Sequence, residues 1–79
     1  MNSSLPMFGE FDAIVERVER ISIHGDQYFD AVLVLRKQAQ PVMVRIAHHL
    51  CERSPSQGDE ISVTFLMSQV SAVRFVTSA

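Results

Sequence analysis

Between Ala31 and Ala47 the chain reads Ala-Val-Leu-Val-Leu-Arg-Lys-Gln-Ala-Gln-Pro-Val-Met-Val-Arg-Ile-Ala, two β-branched, apolar runs around a polar break from Arg36 to Gln40. That combination predicts a β-hairpin. Strand side chains alternate with period two, so Val42, Val44 and Ile46 fall on one face and Met43, Arg45 and Ala47 on the other. The first run is apolar at every position from Ala31 to Leu35, which predicts a strand covered on both sides or one that curls into a closed sheet. The expected architecture is all-β, a small barrel or rolled sheet.

Upstream, residues 1–9 read as an irregular lead-in punctuated by Pro6 and Gly9, with mobile first residues. The stretch Glu10 to Ile23 carries two periodicities at once. Phe11, Ile14, Val15, Val18 and Ile21 sit at helical spacing, and Glu16 and Arg20 are placed to pair across one turn. Against a helix stand the β-branched apolar positions, the missing N-cap and the unbroken passage into Ile21-Ser22-Ile23. A long, bulged strand holds the same residues, with Ala13 and Val15 on one face and Val18 realigned after the bulge. The strand is the better fit.

His24-Gly25-Asp26-Gln27 follows as a turn, Gly-Asp supplying the left-handed backbone and the side-chain cap. Tyr28 to Arg36 is then the second strand, and Pro41 opens the third where a missing amide donor costs least. A turn or two of helix fits His48 to Arg53, before the Ser-Pro-Ser-Gln-Gly-Asp loop. Ile61, Val63 and Phe65 alternate with Ser62 and Thr64 in a fourth strand. Met67-Ser68-Gln69 bridges to a fifth, Val70 to Val76, with Val73 and Phe75 facing one way and Ala72 and Arg74 the other. The expected interior is Val15, Leu33, Leu35, Val44, Ile46, Ile61, Val63, Phe65 and Val73.

Five short strands with a helical or looped insertion between the third and fourth describe the five-stranded Greek-key barrel that binds oligonucleotides or oligosaccharides, the OB-fold. Ala13 to Glu19, Val42 to Ile46, and Gly58-Asp59-Glu60-Ile61-Ser62-Val63-Thr64-Phe65 closing in Val70 to Val76 together resemble the TOBE family. These are small barrels appended to transporter ATPases and found alone in molybdate-binding proteins. The resemblance covers about 60 residues as a pattern of strands and turns, and implies an OB-like barrel acting as a regulatory or protein-interaction module. The Ser-Ala-Arg-Asn and Thr-Asn-Glu-Ser type segments that hold oxyanions in molybdate binders have no counterpart, since Ile46 is followed by Ala47-His48-His49. The run Pro41 to Ile46 with a Gly-led fourth strand is also similar in layout to phage-type and replication-type single-strand DNA-binding barrels. Should Glu10 to Ile21 be helical, an Sm-like RNA-binding barrel is the replacement.

Seventy-nine residues make one domain, residues 10–79, with a single modest core. Cys51 is the only cysteine, so no disulfide supports that core, and a homo-oligomer, such as a dimer, or a protein partner is expected. A lone thiol also leans toward a reducing compartment. Met1 to Pro6 has no basic residue and no long apolar run, and nothing approaches the roughly 18 apolar residues of a membrane span. A cytoplasmic chain with no membrane partner is the expectation.

Seven Lys and Arg against nine Asp and Glu give a formal net charge of -2, which argues against strong non-specific attraction to a phosphate backbone but leaves a local basic face open. Six of the seven cations are Arg, which suits bidentate contacts to phosphate or carboxylate. Arg17, Arg36, Lys37, Arg45 and Arg74 are the candidate nucleic-acid-binding cations, and Tyr28 is the candidate base-stacking platform. Their competing fate is pairing with Asp12, Glu16, Glu19 and Asp30 on a solvated surface. The five Phe are mostly core in a chain this small, one or two in excess marking an interface, and Met7, Met43 and Met67 serve either as core filler or as an adaptable contact surface.

His48, His49 and Cys51, with Glu52 beside them, are metal-ligating types. Adjacent histidines rarely share one tetrahedral site and His24 is the only other imidazole, so an exposed loop or helix end is expected and no metal. Cys51 as a nucleophile needs a positioned base, for which His48 or His49 is the only neighbour, and no oxyanion device accompanies it. With no Gly-rich phosphate loop, no Ser/His/Asp set and no paired carboxylates at catalytic spacing, neither an enzyme nor a cofactor is expected.

Overall fold

Five antiparallel strands in one sheet carry the chain: β1 (Phe8–Ile23), β2 (Asp26–Leu35), β3 (Val42–Ala47), β4 (Glu60–Leu66) and β5 (Gln69–Phe75). A computed structural model describes residues 5–38 and 40–76. The only other regular element among them is a single 3-10 turn, His48–Leu50, where a turn or two of helix was expected. Strand order is β3-β2-β1-β4-β5. The expected mobility of the first residues falls on residues 1–4, outside the described residues, and β1 already begins at Phe8 within the expected lead-in.

β1 organises the sheet because it serves two neighbours in turn. It pairs with β4 from Phe8 to Ile14 and with β2 from Ala13 to Ile23. Ala13, 3% exposed, lies between Leu35 and Ile61 where three strands meet. One residue further on, the register slips: Val15 faces Leu33 and Arg17 faces Val32, leaving Glu16 as a bulge. A bulge adds one residue to the count of two between inward side chains. Val15 and Val18 therefore share a face at a spacing of three, which is why this strand imitates a helix in sequence. Ile14, second in that helical stripe, points outward and is exposed.

Past Ile14 the pairing with β4 ends, and at Val15, just before the bulge, the β3–β4 loop takes over its hydrogen bonds. The Val15 amide donates to the Asp59 carbonyl at 2.9 Å, and the Gly58 amide donates to the Val15 carbonyl at 2.8 Å. Gly58 accepts this position with φ +93, a left-handed backbone that a side chain would strain. Asp59 then ties its own loop, accepting from the Ser56 amide at 2.8 Å and from Arg53 at 3.2 Å.

The concave side of the sheet is the core. Leu33, Leu35, Ile46, Ile61, Val63 and Phe65 are fully buried with Val15 and Val42, and Ala13, Ala31, Val44, Phe29 and Phe75 complete the cluster. Burying one such large side chain contributes about 1.5–3 kcal/mol relative to exposure. Val73, expected inside, is half-buried against this cluster. Phe65 meets Phe11 edge to face at 5.9 Å.

Two local expectations are corrected. The run Ala31 to Leu35 is not covered on both sides: Ala31, Leu33 and Leu35 are buried, while Val32 and Val34 stay partly exposed on the outer face beside Met43 and Ile14. In the first turn the left-handed residues are His24 (φ 51) and Gly25 (φ 85), so Asp26 is the first residue of β2, opposite Ile23. β3 and β5, the two ends of the sheet, come within 8 Å between Cα atoms. No ladder of hydrogen bonds joins them among the described residues. Among the same described residues no helix is long and apolar enough to cross a membrane.

Candidate nucleic-acid interface

The six residues singled out from sequence do not form one face. Cross-strand partners project to the same side of a sheet, so register places each of them. Tyr28 and Arg45 stand on the outer side of β2 and β3, opposite Ala47 and Asp30 respectively. Arg17 lies on the same outer side of β1, opposite Val32, in a shallow groove it shares with Glu19, Asp30 and Met43. Arg36 and Lys37 are in the turn after β2, and Arg74 is on β5. These last three line a separate cleft at the other end of β1.

Tyr28 and Arg45 line a cleft of about 440 Å³ together with Met43, Ala47, Leu5, the β4–β5 turn residue Ser68 and the first residue of β5, Gln69. The half-buried Tyr28 ring and the exposed Met43 give this cleft an apolar wall. Arg45 gives it charge, held in place by Asp30: Nε donates to Oδ1 at 2.8 Å and Nη2 to Oδ2 at 3.0 Å. The Arg45 hydrogen bonds lower the Asp30 pKa, so the carboxylate is ionised throughout the neutral range. The cleft thus presents a flat ring, an oriented guanidinium whose Nη1 makes no hydrogen bond among the described residues, and the Gln69 amide. Those are the groups that stack a base, grip a phosphate and read a base edge.

Much of the competing fate holds as well. Arg36 pairs with Asp12 at 3.2 Å and Arg74 with Glu10 at 3.0 Å, both well exposed. Arg17 and Lys37 have no ion-pair partner among the described residues. Two arginines outside the candidate set serve the fold. Arg20 donates to Ser54 at 3.2 Å and lies 5.9 Å from the Phe29 ring centre, and Arg53 covers the Phe75 ring at 4.2 Å. The cleft residues Ser68 and Gln69 carried no sequence signal, because only the approach of β5 to β3 brings them there, and Leu5 joins them from the segment before β1.

Among the described residues no three His, Cys, Asp or Glu are placed to hold a metal ion. His48 instead stacks on Phe29 at 5.4 Å, and desolvation raises the half-buried Cys51 thiol, away from the reactive thiolate. What fold and cleft define is a small five-stranded β-sheet domain with an open, mixed polar and aromatic surface. Compared with known proteins, the chain matches no family model, no curated protein and no solved structure.

Proposed function

We propose that this chain is a non-catalytic binding module, a rolled sheet of the OB type, whose β2–β3 face takes single-stranded nucleic acid. The observation that carries it is the meeting of Tyr28 and Arg45 with the β4–β5 turn in one cleft. In OB-folds the face of strands 2 and 3 and the loops joining strands 1–2 and 4–5 hold the oligomer. The strand order and the nearness of β3 to β5 support that architecture, and the ligand class rests on fold-level analogy joined to the chemistry of the cleft. The lone thiol and the small core favour a cytoplasmic chain that assembles with a copy of itself. The Sm-like alternative needed a helix over residues 10–21, which are strand.

The test is fluorescence anisotropy of labelled single-stranded DNA and RNA at low and moderate salt. Saturable binding that weakens with salt is expected, reduced about tenfold by Arg45→Ala, the scale of one charge-assisted contact. Absence of binding at low salt, where attraction is least screened, removes the proposal.

A second reading, a TOBE-like protein-interaction module, has its own observation. Phe8 and Leu66 are cross-strand partners, 60% and 54% exposed, and Met7 and Met67 beside them are 56% and 69% exposed. Contiguous apolar surface of this kind marks contact sites. Light scattering that reports concentration-dependent assembly, reversed by Phe8→Ser, without any nucleic-acid binding, selects it.

A further inference from the structure

The second cleft, about 360 Å³, brings Arg36, Lys37 and Arg74 together from two distant parts of the chain. Three cations face two carboxylates there, Asp12 and Glu10, leaving one positive charge in excess. The carboxylates hold the guanidiniums without using up their donors. Arg36 makes one contact, Nη1 to Asp12, and Arg74 makes one, Nη2 to Glu10. Five N–H donors stand on each guanidinium, so most of them remain to be given. Lys37 has no ion-pair partner among the described residues and three donors of its own.

Glu10 is itself fixed from behind. The nearly buried Ser62 hydroxyl donates to Oε2 at 2.7 Å, the same oxygen that accepts from Arg74. Ser62 first and Arg74 second lower the Glu10 pKa, so this strut is ionised at neutral pH and Arg74 is held in position. Pre-set planar donors beside an ammonium are the groups that hold the oxygens of a phosphate, the fork by paired N–H bonds and the ammonium as a point charge.

From this geometry we infer that the Arg36–Lys37–Arg74 cleft is a phosphate-binding site separate from the Tyr28 cleft. Its ligand is either a phosphodiester of a bound strand or a free phosphate group. From Glu10 to the Ile21 neighbour of Tyr28, β1 runs on the order of 35 Å at ~3.3 Å per residue. A strand that occupies both clefts must follow the sheet. Only the phosphodiester form rests on the proposed nucleic-acid function.

The experiment is a titration of the ¹⁵N-labelled full chain, first with inorganic phosphate and then with a single-stranded oligodeoxynucleotide, each against chloride at matched ionic strength. Amide and Arg Nε resonances of Arg36, Lys37 and Arg74 are expected to move together, and Lys37→Glu, in an exposed turn, is expected to suppress the shift. With the oligonucleotide, Lys37→Glu lowers affinity about tenfold at low salt and reduces the salt slope by about one, the mark of one lost phosphate contact. Tyr28 and Arg45 report the first cleft in the same spectra. Shifts at Lys37 and Arg74 with phosphate alone assign the site to free phosphate and count against the nucleic-acid function only. Shifts confined to Tyr28 and Arg45, with Arg36, Lys37 and Arg74 unmoved by either probe, overturn the site and leave that function standing.

Discussion

Arg45 on β3 and Asp30 on β2 are register partners, and their side chains close a two-point guanidinium–carboxylate pair at 2.8 and 3.0 Å. The pair sets both the reach and the net charge of the Tyr28 cleft. Asp30→Asn takes away a negative charge and a competing acceptor while keeping the size of the side chain. Tighter oligonucleotide binding at low salt is expected, by a few-fold, with a steeper salt dependence. Anisotropy on this variant beside Arg45→Ala checks it, and equal affinities for wild type and Asp30→Asn speak against Arg45 as the phosphate contact.

Acid is expected to loosen the outer face. Glu10 and Asp30 both have folded-state pKa values below their ordinary ones, Glu10 through Ser62 and Arg74, Asp30 through Arg45. Such carboxylates contribute stability that is fully present above the unfolded pKa, about 4, and lost as pH falls through the lower folded value. The midpoint of chemical denaturation should hold steady from neutral pH to about 5 and decline below about 4. In Glu10→Gln and Asp30→Asn that decline should be shallower.

The left-handed positions predict changes of opposite sign. His24, Met67 and Ser68 sit at φ 51, 54 and 62, where non-glycine residues are strained. His24→Asn and Ser68→Gly each relieve left-handed strain of about 1–2 kcal/mol, offset for Ser68→Gly by roughly 0.5–1 kcal/mol of added unfolded-state entropy, so a higher melting temperature is expected, with the gain at Ser68 below about 1 kcal/mol. Gly58→Ala, at φ +93 with open space around it, should instead cost about 1–2 kcal/mol of backbone strain. It should also weaken amide protection at position 58, whose N–H donates to the Val15 carbonyl, and at Val15, whose N–H donates to the neighbouring Asp59 carbonyl.

Core truncation tests the packing. Phe65 is 1% exposed and edge-on to Phe11, so Phe65→Ala is expected to cost about 3–5 kcal/mol. A domain of this size has a total of about 4–12 kcal/mol. Loss of cooperative unfolding, or a midpoint shift of that scale, is the expected denaturation result.

Phe8, by contrast, is the aromatic left over from the core. Its exposure beside Leu66, with Met7 and Met67 also outside, settles for this cluster that the side chains are surface and not filler. Met43, on the outer side of β3, is likewise exposed.

The alternation of Val42, Val44 and Ile46, of Ile61, Val63 and Phe65, and the existence of a turn within His24 to Gln27 needed only local chemistry, although the left-handed pair proved to be His24-Gly25 and not Gly25-Asp26. Side-chain period and backbone preference act over a few residues, so five strands and most of the interior could be read from the chain. Val15 and Val18 show how far that extends: their spacing fits a helix or a bulged strand, and only β2 and the Gly58–Asp59 loop, both distant in sequence, select the bulge. The cations depended on tertiary structure altogether. Arg45 finds Asp30, Arg74 finds Glu10, and Arg36 finds Asp12 across separations of 15, 64 and 24 residues. One residue of slip in register moves a side chain to the opposite face. The sorting of six candidates into clefts was therefore decided by the order and register of the strands, since those, and not the composition of any one strand, determine which charges meet.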